Sequence, residues 1–266
     1  TNKTWFSVFG EDNLEKKKNI IFILSDQHNP FIMGNAGDTI ARTPNLDRAA
    51  REGIRVSNCY CSSPLCVPSR SSLLSAKLPS RTGIFNNLQS LRYEDLTFVH
   101  SLAIAGYRTV LSGRMHFKGC DQRHGFEERL IGSISSPLIS YEIEGLGKLE
   151  PSLHQNKRGI ENSGPGHSAI MDYDTMVTDA ACSLLKKHRS EGERPLFLTV
   201  GFFGPHCPFV CTKELFDYYY QKLPEPEIST EFKKNVHPAV KQWYKNRDIM
   251  DTDIEAVKRA RAAYYG

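Results

Sequence analysis

Three short runs constrain this chain most: Asn19-Ile20-Ile21-Phe22-Ile23-Leu24, Tyr107-Arg108-Thr109-Val110-Leu111 and Pro195-Leu196-Phe197-Leu198-Thr199-Val200-Gly201-Phe202-Phe203. They are rich in β-branched and large apolar residues. The first is continuously apolar, as expected of a strand buried on both faces in a parallel sheet. The segments between them carry helical spacing. Thr43 caps a helix, Pro44 takes its first position and Gly53 ends it. A second helix is expected over Thr97 to Ala105 and a third over Tyr173 to His188, where Met176, Val177, Ala180, Ala181, Leu184 and Leu185 share one side. Asp253 to Tyr264 is amphipathic. Strands alternating with helices predict an α/β fold, with a mostly parallel central sheet flanked by helices on both faces.

Each of these strands runs into ionisable residues. The first run stops at Asp26, the second delivers Gly113-Arg114-Met115-His116, and the third ends in Gly204-Pro205-His206. A further extended segment, beginning at Ile54-Arg55-Val56, leads to Cys66-Val67-Pro68-Ser69-Arg70 and then a helix. In an open parallel sheet the carboxyl ends of the strands gather along one edge, where ligands bind. A helix start favours negative charge at Cys66. Pro68 suits the first helical turn, and Arg70 brings a fixed guanidinium fork back to the same place. An acid, a cysteine, two arginines and two histidines together suit an anionic, oxygen-rich group held by positive charge and a metal.

Other classes are disfavoured. The 266 residues carry a net charge of +4 and a pI near 8.6, too mildly basic to imply nucleic acid. Lys16-Lys17-Lys18 reads as a solvated lead-in to the first strand. No apolar run is long enough to span a bilayer. Thr1 to Glu15 lacks a secretory pattern, and a signal removed before this numbering leaves export open. The seven cysteines are an odd count, Cys59-x-Cys61 and Cys207-x3-Cys211 are not disulfide-scaffold spacings, and no C-x-x-C pair occurs. His116, Cys120 and His124 are spaced by four, but Gly113, Gly119 and Gly125 interrupt any helix that would turn them into a zinc cluster.

Taken in order, these motifs resemble the N-terminal part of a sulfatase of the alkaline-phosphatase-like superfamily. The matching residues are Ser25-Asp26-Gln27, Thr43-Pro44-Asn45-Leu46-Asp47, Cys66-x-Pro68-Ser69-Arg70 with Leu73-Leu74, Gly106-Tyr107-Arg108-Thr109, Gly113-Arg114-Met115-His116 and Pro205-His206-x-Pro208. The resemblance implies a sulfuric ester hydrolase whose Cys66 is oxidised by a separate maturation enzyme to formylglycine. One oxygen of the hydrated aldehyde, beside a divalent metal, attacks sulfur, and the second hydroxyl drives sulfate release. Asp26, with Gln27 and residue 66, would bind the metal; calcium is expected, with manganese or magnesium as alternatives. Arg70 would hold the diol, Arg114 would neutralise the sulfate, His116 would orient or deprotonate the diol, and His206 would touch the sulfate or protonate the leaving oxygen. The expected substrate is a sulfated small molecule or carbohydrate.

Several positions depart from the family pattern. Ser25 stands where a second acid is usual, Arg114 where a lysine is, and Ser75-Ala76-Lys77 where Thr-Gly-Arg is. A single acid followed by Gln27 is similar to the choline-sulfatase and phosphonate-monoester-hydrolase branch, in which Asn87 matches a polar site position. A phosphonate or phosphate ester hydrolase is therefore one alternative, and a catalytically inactive anion-binding relative is another. The family's second metal-binding strand and its later lysine have no counterpart. The expectation is the N-terminal portion of a longer catalytic domain, with its core at about 19–209.

Overall fold

The computed structural model describes residues 17–134, 156–192, 194–207, 209–226, 235–249 and 251–266. Thr1 to Glu15, Pro208 and the centre of the long connection between Gly119 and Gly166 lie outside the described residues.

The strands are β1 (Ile20–Leu24), β2 (Arg108–Gly113), β3 (Glu128–Ile131), β4 (Gly164–Pro165), β5 (Leu196–Gly201) and β6 (Val210–Cys211). The helices are α1 (Pro44–Glu52), α2 (Cys66–Ser75), α3 (Pro79–Thr82), α4 (Phe98–Ile104), α5 (Lys157–Glu161), α6 (Ala169–Glu191), α7 (Lys213–Lys222), α8 (Pro238–Asn246) and α9 (Ile254–Tyr265). The central sheet is parallel throughout, in the order β1-β5-β2-β3. The strand pair β4-β6 forms a small second sheet.

Alternation along the strands sorts the core into two layers. Val110, Leu196, Leu198 and Val200 point to α6, where Tyr173, Val177, Ala181 and Leu184 receive them. Leu111 and Phe197 point the other way, onto α2 and α4. There the Phe197 ring stacks on Phe126 and meets Phe98 edge-on. Burying each such side chain contributes about 1.5–3 kcal/mol. A third cluster joins α7 to α9 through Phe216, Tyr219, Ala262 and Ala263.

Several expectations need correction. The first strand is not buried on both faces: Ile21 is 48% and Ile23 64% exposed. Among the described residues β1 pairs with β5 alone, so it is an edge strand. Its apolar run reports a demand for burial but cannot say what meets it. Ile54 to Leu65 contains no strand, so Cys66 arrives from irregular chain. Thr43 does not cap α1 with its side chain; its hydroxyl accepts from Gly34 N–H and donates to Asp47. The Leu78 to Gly83 loop contains the short helix α3.

Register sets the site's level. Leu24 and Gly113 both pair with Gly201, so the three strands that carry site residues end in one row. Glycine is needed at two of these ends. A Cβ on Gly113 would lie 2.2 Å from the Gly201 carbonyl oxygen, and one on Gly201 would lie 2.1 Å from that of Arg114. The close approach lets Arg114 N–H donate to the Gly201 carbonyl at 2.7 Å, which turns the chain leaving β2 across the top of β5.

Candidate active site

Asp26 leaves β1 at this rim with its amide donating to the Gly204 carbonyl at 3.2 Å, which ties the first strand end to the loop beyond β5. Its carboxylate Oδ2 accepts from Arg70 Nη2 and from Arg114 Nε, each at 3.0 Å. All three side chains are buried, with Arg114 only 2% exposed. Two guanidinium groups thus share one carboxylate away from water, where charge-assisted bonds are strong and an excess of one sign is costly. Arg70 also donates from Nη1 to the Arg114 carbonyl at 3.0 Å, and the Arg114 guanidinium lies 4.0 Å over the Phe203 ring.

Cys66 is the first residue of α2, after an extended Leu65. The next amide in the helix, Val67 N–H, donates to Asn87 Oδ1 at 3.0 Å, which holds the helix start in place. Arg114 Nη2 lies 3.8 Å from Cys66 Sγ and donates to His116 Nδ1 at 3.2 Å. Because a guanidinium is always the donor, that nitrogen of His116 carries no proton. Burial first, and then the Arg114, Lys118 and Arg70 charges, push the His116 pKa down to about 2. His206 differs. Burial lowers its pKa, but hydrogen bonds to the Cys207 thiol and carbonyl and the nearby Cys207 and Asp26 groups outweigh that, so it ends above 6.5. The His206 Nδ1–H donates to the Cys207 carbonyl at 2.8 Å.

These two shifts act on stability in opposite directions. The unfolded chain protonates His116 below its ordinary 6.5, whereas the folded chain does not until about 2. Stability is therefore lost as pH falls from 6.5, by up to about 1.4 kcal/mol per pH unit for one proton. The raised His206 pKa gives stability that is complete below 6.5 and is lost as pH rises through the folded value. Urea unfolding of the metal-free protein between roughly pH 5 and 8 should show maximum stability near pH 6.5. His116→Gln should make the acidic limb shallower without removing it, because burial lowers the His124 pKa as well, and His206→Gln should flatten the alkaline one. Unchanged limbs in both variants would refute the assignment.

Asp26, Cys66 and His206 offer ligand atoms that all lie within 4.8 Å of one another. With the thiol as encoded, this donor set is one oxygen, one sulfur and one nitrogen, a mixture suited to zinc. An oxygen-bearing residue 66 would shift it toward calcium, magnesium or manganese, which take oxygen ligands. Gln27 is exposed but lines the same cavity, of about 240 Å³, as Asp26, Cys61, Cys66, Ser69 and Arg70.

The expected residues Asp26, Cys66, Arg70, Arg114, His116 and His206 therefore meet, and Asn87 reaches them through the backbone of α2. Cys120 is exposed, in the irregular segment that also carries His124. Sequence reasoning missed two contributors. Lys118 is buried near the Arg114 and Cys66 groups; burial and then the Arg114 charge lower its pKa. Its nearness to the strongly placed Arg114-x-His116 motif was the available signal. Asp174, on α6, accepts from Phe203 N–H at 2.7 Å and Gly204 N–H at 2.8 Å and so shapes the His206 loop. Nothing local in the sequence marks it.

Comparison with known proteins agrees with this geometry. The sulfatase family model matches residues 18–264. The choline-sulfatase of Rhizobium meliloti (strain 1021) is 33% identical over 259 residues, covering 94% of this chain and 51% of its own. The N-acetylglucosamine-6-O-sulfatase of Bacteroides thetaiotaomicron is 39% identical over 192 residues, covering 72% of this chain and 31% of its own. The chain spans about half the length of its first curated relatives, 51% and 46% for two of them. Among solved structures, the phosphonate monoester hydrolase of Agrobacterium radiobacter superposes with a TM-score of 0.68 at 19% identity, covering 94% of this chain and 56% of its own. That likeness concerns the alkaline-phosphatase-like fold.

Proposed function

Since the chain belongs to the sulfatase family, we propose that it forms the N-terminal portion of a catalytic domain that hydrolyses a sulfate monoester at residue 66. The observation that carries this reading is the position of Cys66, at the first residue of α2, 3.8 Å from Arg114 and within 4.8 Å of the Asp26 and His206 ligand atoms. Oxidation of Cys66 to formylglycine by a maturation enzyme supplies, as the aldehyde hydrate, one hydroxyl to displace the alcohol from sulfur and a second whose proton loss expels sulfate.

The remaining roles come from charge and protonation. Arg70, Arg114 and Lys118 surround the Asp26 carboxylate, and burial pushes the next acid, Asp174, toward its neutral form, so the described site carries an excess of positive charge and attracts an anion. Arg114, pinned by Asp26 and by the Phe203 ring, presents Nη2 toward residue 66, where charge develops on the sulfuryl oxygens. His116 is neutral, and with Nδ1 accepting from Arg114 its proton sits on Nε2, so it is suited to orient the hydrate by donating a hydrogen bond rather than to take a proton from it. His206, with its raised pKa, is suited to protonate the departing alcohol; a metal ligand must be neutral, which favours the acid role over ligation. Asp26, with Gln27 and the oxygens of a modified residue 66, would hold a divalent ion, calcium above manganese or magnesium. Such an ion supplies positive charge for the nucleophile and the sulfuryl group, and its remaining ligands would come from the rest of the domain. The sulfated-carbohydrate activity named for the Bacteroides relative makes a sulfated sugar the leading substrate class.

The test pairs chemistry with mass. Full-length protein co-expressed with a formylglycine-generating enzyme should carry the aldehyde at residue 66 by peptide mass spectrometry. It should also hydrolyse an aryl sulfate at least about 100-fold faster than a phosphonate monoester of the same alcohol, a ratio that corresponds to nearly 3 kcal/mol in barrier. Faster phosphonate turnover would replace the sulfatase reading with the phosphonate one. An unmodified cysteine with no turnover of either ester would leave an anion-binding relative.

A further inference from the structure

The loop after β1 must hold Asp26 against two arginines through a bend in the chain, and it does so with Gln27 in the left-handed region at φ 63°. A non-glycine residue persists there only if its surroundings hold it. The holding group comes from the far end of the sequence. Asn29 N–H donates to Tyr264 Oη at 2.6 Å, and that hydroxyl donates to the Gln27 carbonyl at 2.8 Å. One phenol therefore bonds the backbone on both sides of the bend, accepting and donating through a single oxygen.

The same ring reaches the second catalytic loop. Tyr264 meets Phe209 edge-on, with centroids 5.1 Å apart at 86°. Phe209 lies beyond His206 on the chain leaving β5, and its backbone is fixed by Ser163 Oγ and by Gly164 N–H. The neighbouring Tyr265 points elsewhere, donating to Asp38 Oδ2 at 2.8 Å, where Asp38 also accepts from Ile40 and Ala41 N–H. The last turn of α9 thus carries two phenols with separate duties, and only Tyr264 touches the loops of Asp26 and His206.

We propose that Tyr264 is a positioning residue for the divalent-ion site, its hydroxyl clamping the Asp26–Asn29 bend so that the Asp26 carboxylate faces residue 66. This rests on the reading of Asp26 as an ion ligand. Groups that orient a ligand commonly change ion affinity by about 10–100-fold when lost. The clamp differs from ordinary scaffolding because removing one oxygen should loosen one loop and leave the helix packing intact.

The experiment compares full-length wild type with Tyr264→Phe, which keeps the ring on Phe209, and with Tyr265→Phe as the neighbouring control. Calorimetric titration with calcium alone should give a dissociation constant raised about 10-fold or more in Tyr264→Phe and unchanged in Tyr265→Phe. Hydrogen exchange of metal-free protein should speed up at the Gln27–Asn29 amides in Tyr264→Phe only. Wild-type affinity together with wild-type exchange in Tyr264→Phe overturns the proposal. Equal losses in both variants, with equally lowered melting temperatures, also overturn it, because they make the helix end a general support. Asp26→Asn separates the two layers of inference. If it binds calcium as tightly as wild type, the ligand reading has failed, and the exchange at Gln27–Asn29 alone decides whether Tyr264 holds the bend.

Discussion

Cys66→Ala is expected to lower ester turnover by at least about 10⁴-fold while leaving the protein folded. Removing a nucleophile leaves only the stabilisation given by the surrounding charges, which typically preserves about 10³–10⁴-fold over water out of a far larger total. Cys66 is half-buried at a helix start and belongs to none of the described apolar clusters, so truncation removes little core. Cys66→Ser sharpens the prediction. A single hydroxyl can attack sulfur, but it has no second proton to lose, so sulfate cannot be expelled in the same way. The serine variant should release one equivalent of alcohol and then stop, carrying a sulfuryl group on residue 66 by intact mass. Steady multiple turnover by either variant would remove residue 66 from the chemistry.

Asp26→Ala should give the largest stability loss of any change at the site, about 3–5 kcal/mol, the usual result of removing one partner from a buried charge network. The carboxylate is bonded by Arg70 and Arg114 at 3.0 Å each, so the alanine variant leaves both buried guanidinium groups without it. Asp26→Asn retains the shape and one acceptor oxygen and should fall between wild type and alanine. Equilibrium denaturation measures the difference, provided the metal-free proteins are compared so that lost ion binding is not counted as lost folding. A loss under about 0.5 kcal/mol for Asp26→Ala, the size expected of an ordinary surface change, would mean that the two arginines relax into water without it. Calcium affinity should vanish in the same variant.

Asp26, Arg114, His116 and His206 were legible because each is a polar interruption immediately after an apolar strand, and parallel strands put their carboxyl ends on one edge. Cys66 was legible for a different reason. Its own motif and the helix beginning there marked it, even though the extended segment expected before it is irregular chain. The exposure of β1 was not legible, since apolar residues state a preference and not a partner. Lys118 stood beside the Arg114-x-His116 motif and could have been found from it, whereas Asp174 and Tyr264 escaped for a shared physical reason: each acts through contacts with distant chain. Tyr264 meets Gln27 across 237 positions of sequence, and no local pattern encodes such a pair.

The sheet order also fixes a timetable. Ile20 pairs with Phe197, so the strand synthesised first must wait for the one synthesised last among the four. At about 5–20 residues per second a ribosome takes roughly ten to thirty seconds to bridge that interval. Throughout it, the nascent Ile20–Leu24 segment is a sticky ribbon whose described partner strand has not yet been made. Charged residues bracket it, Lys17 and Lys18 before and Asp26 after, an arrangement in which flanking charge discourages association of an apolar strand still waiting for its partner.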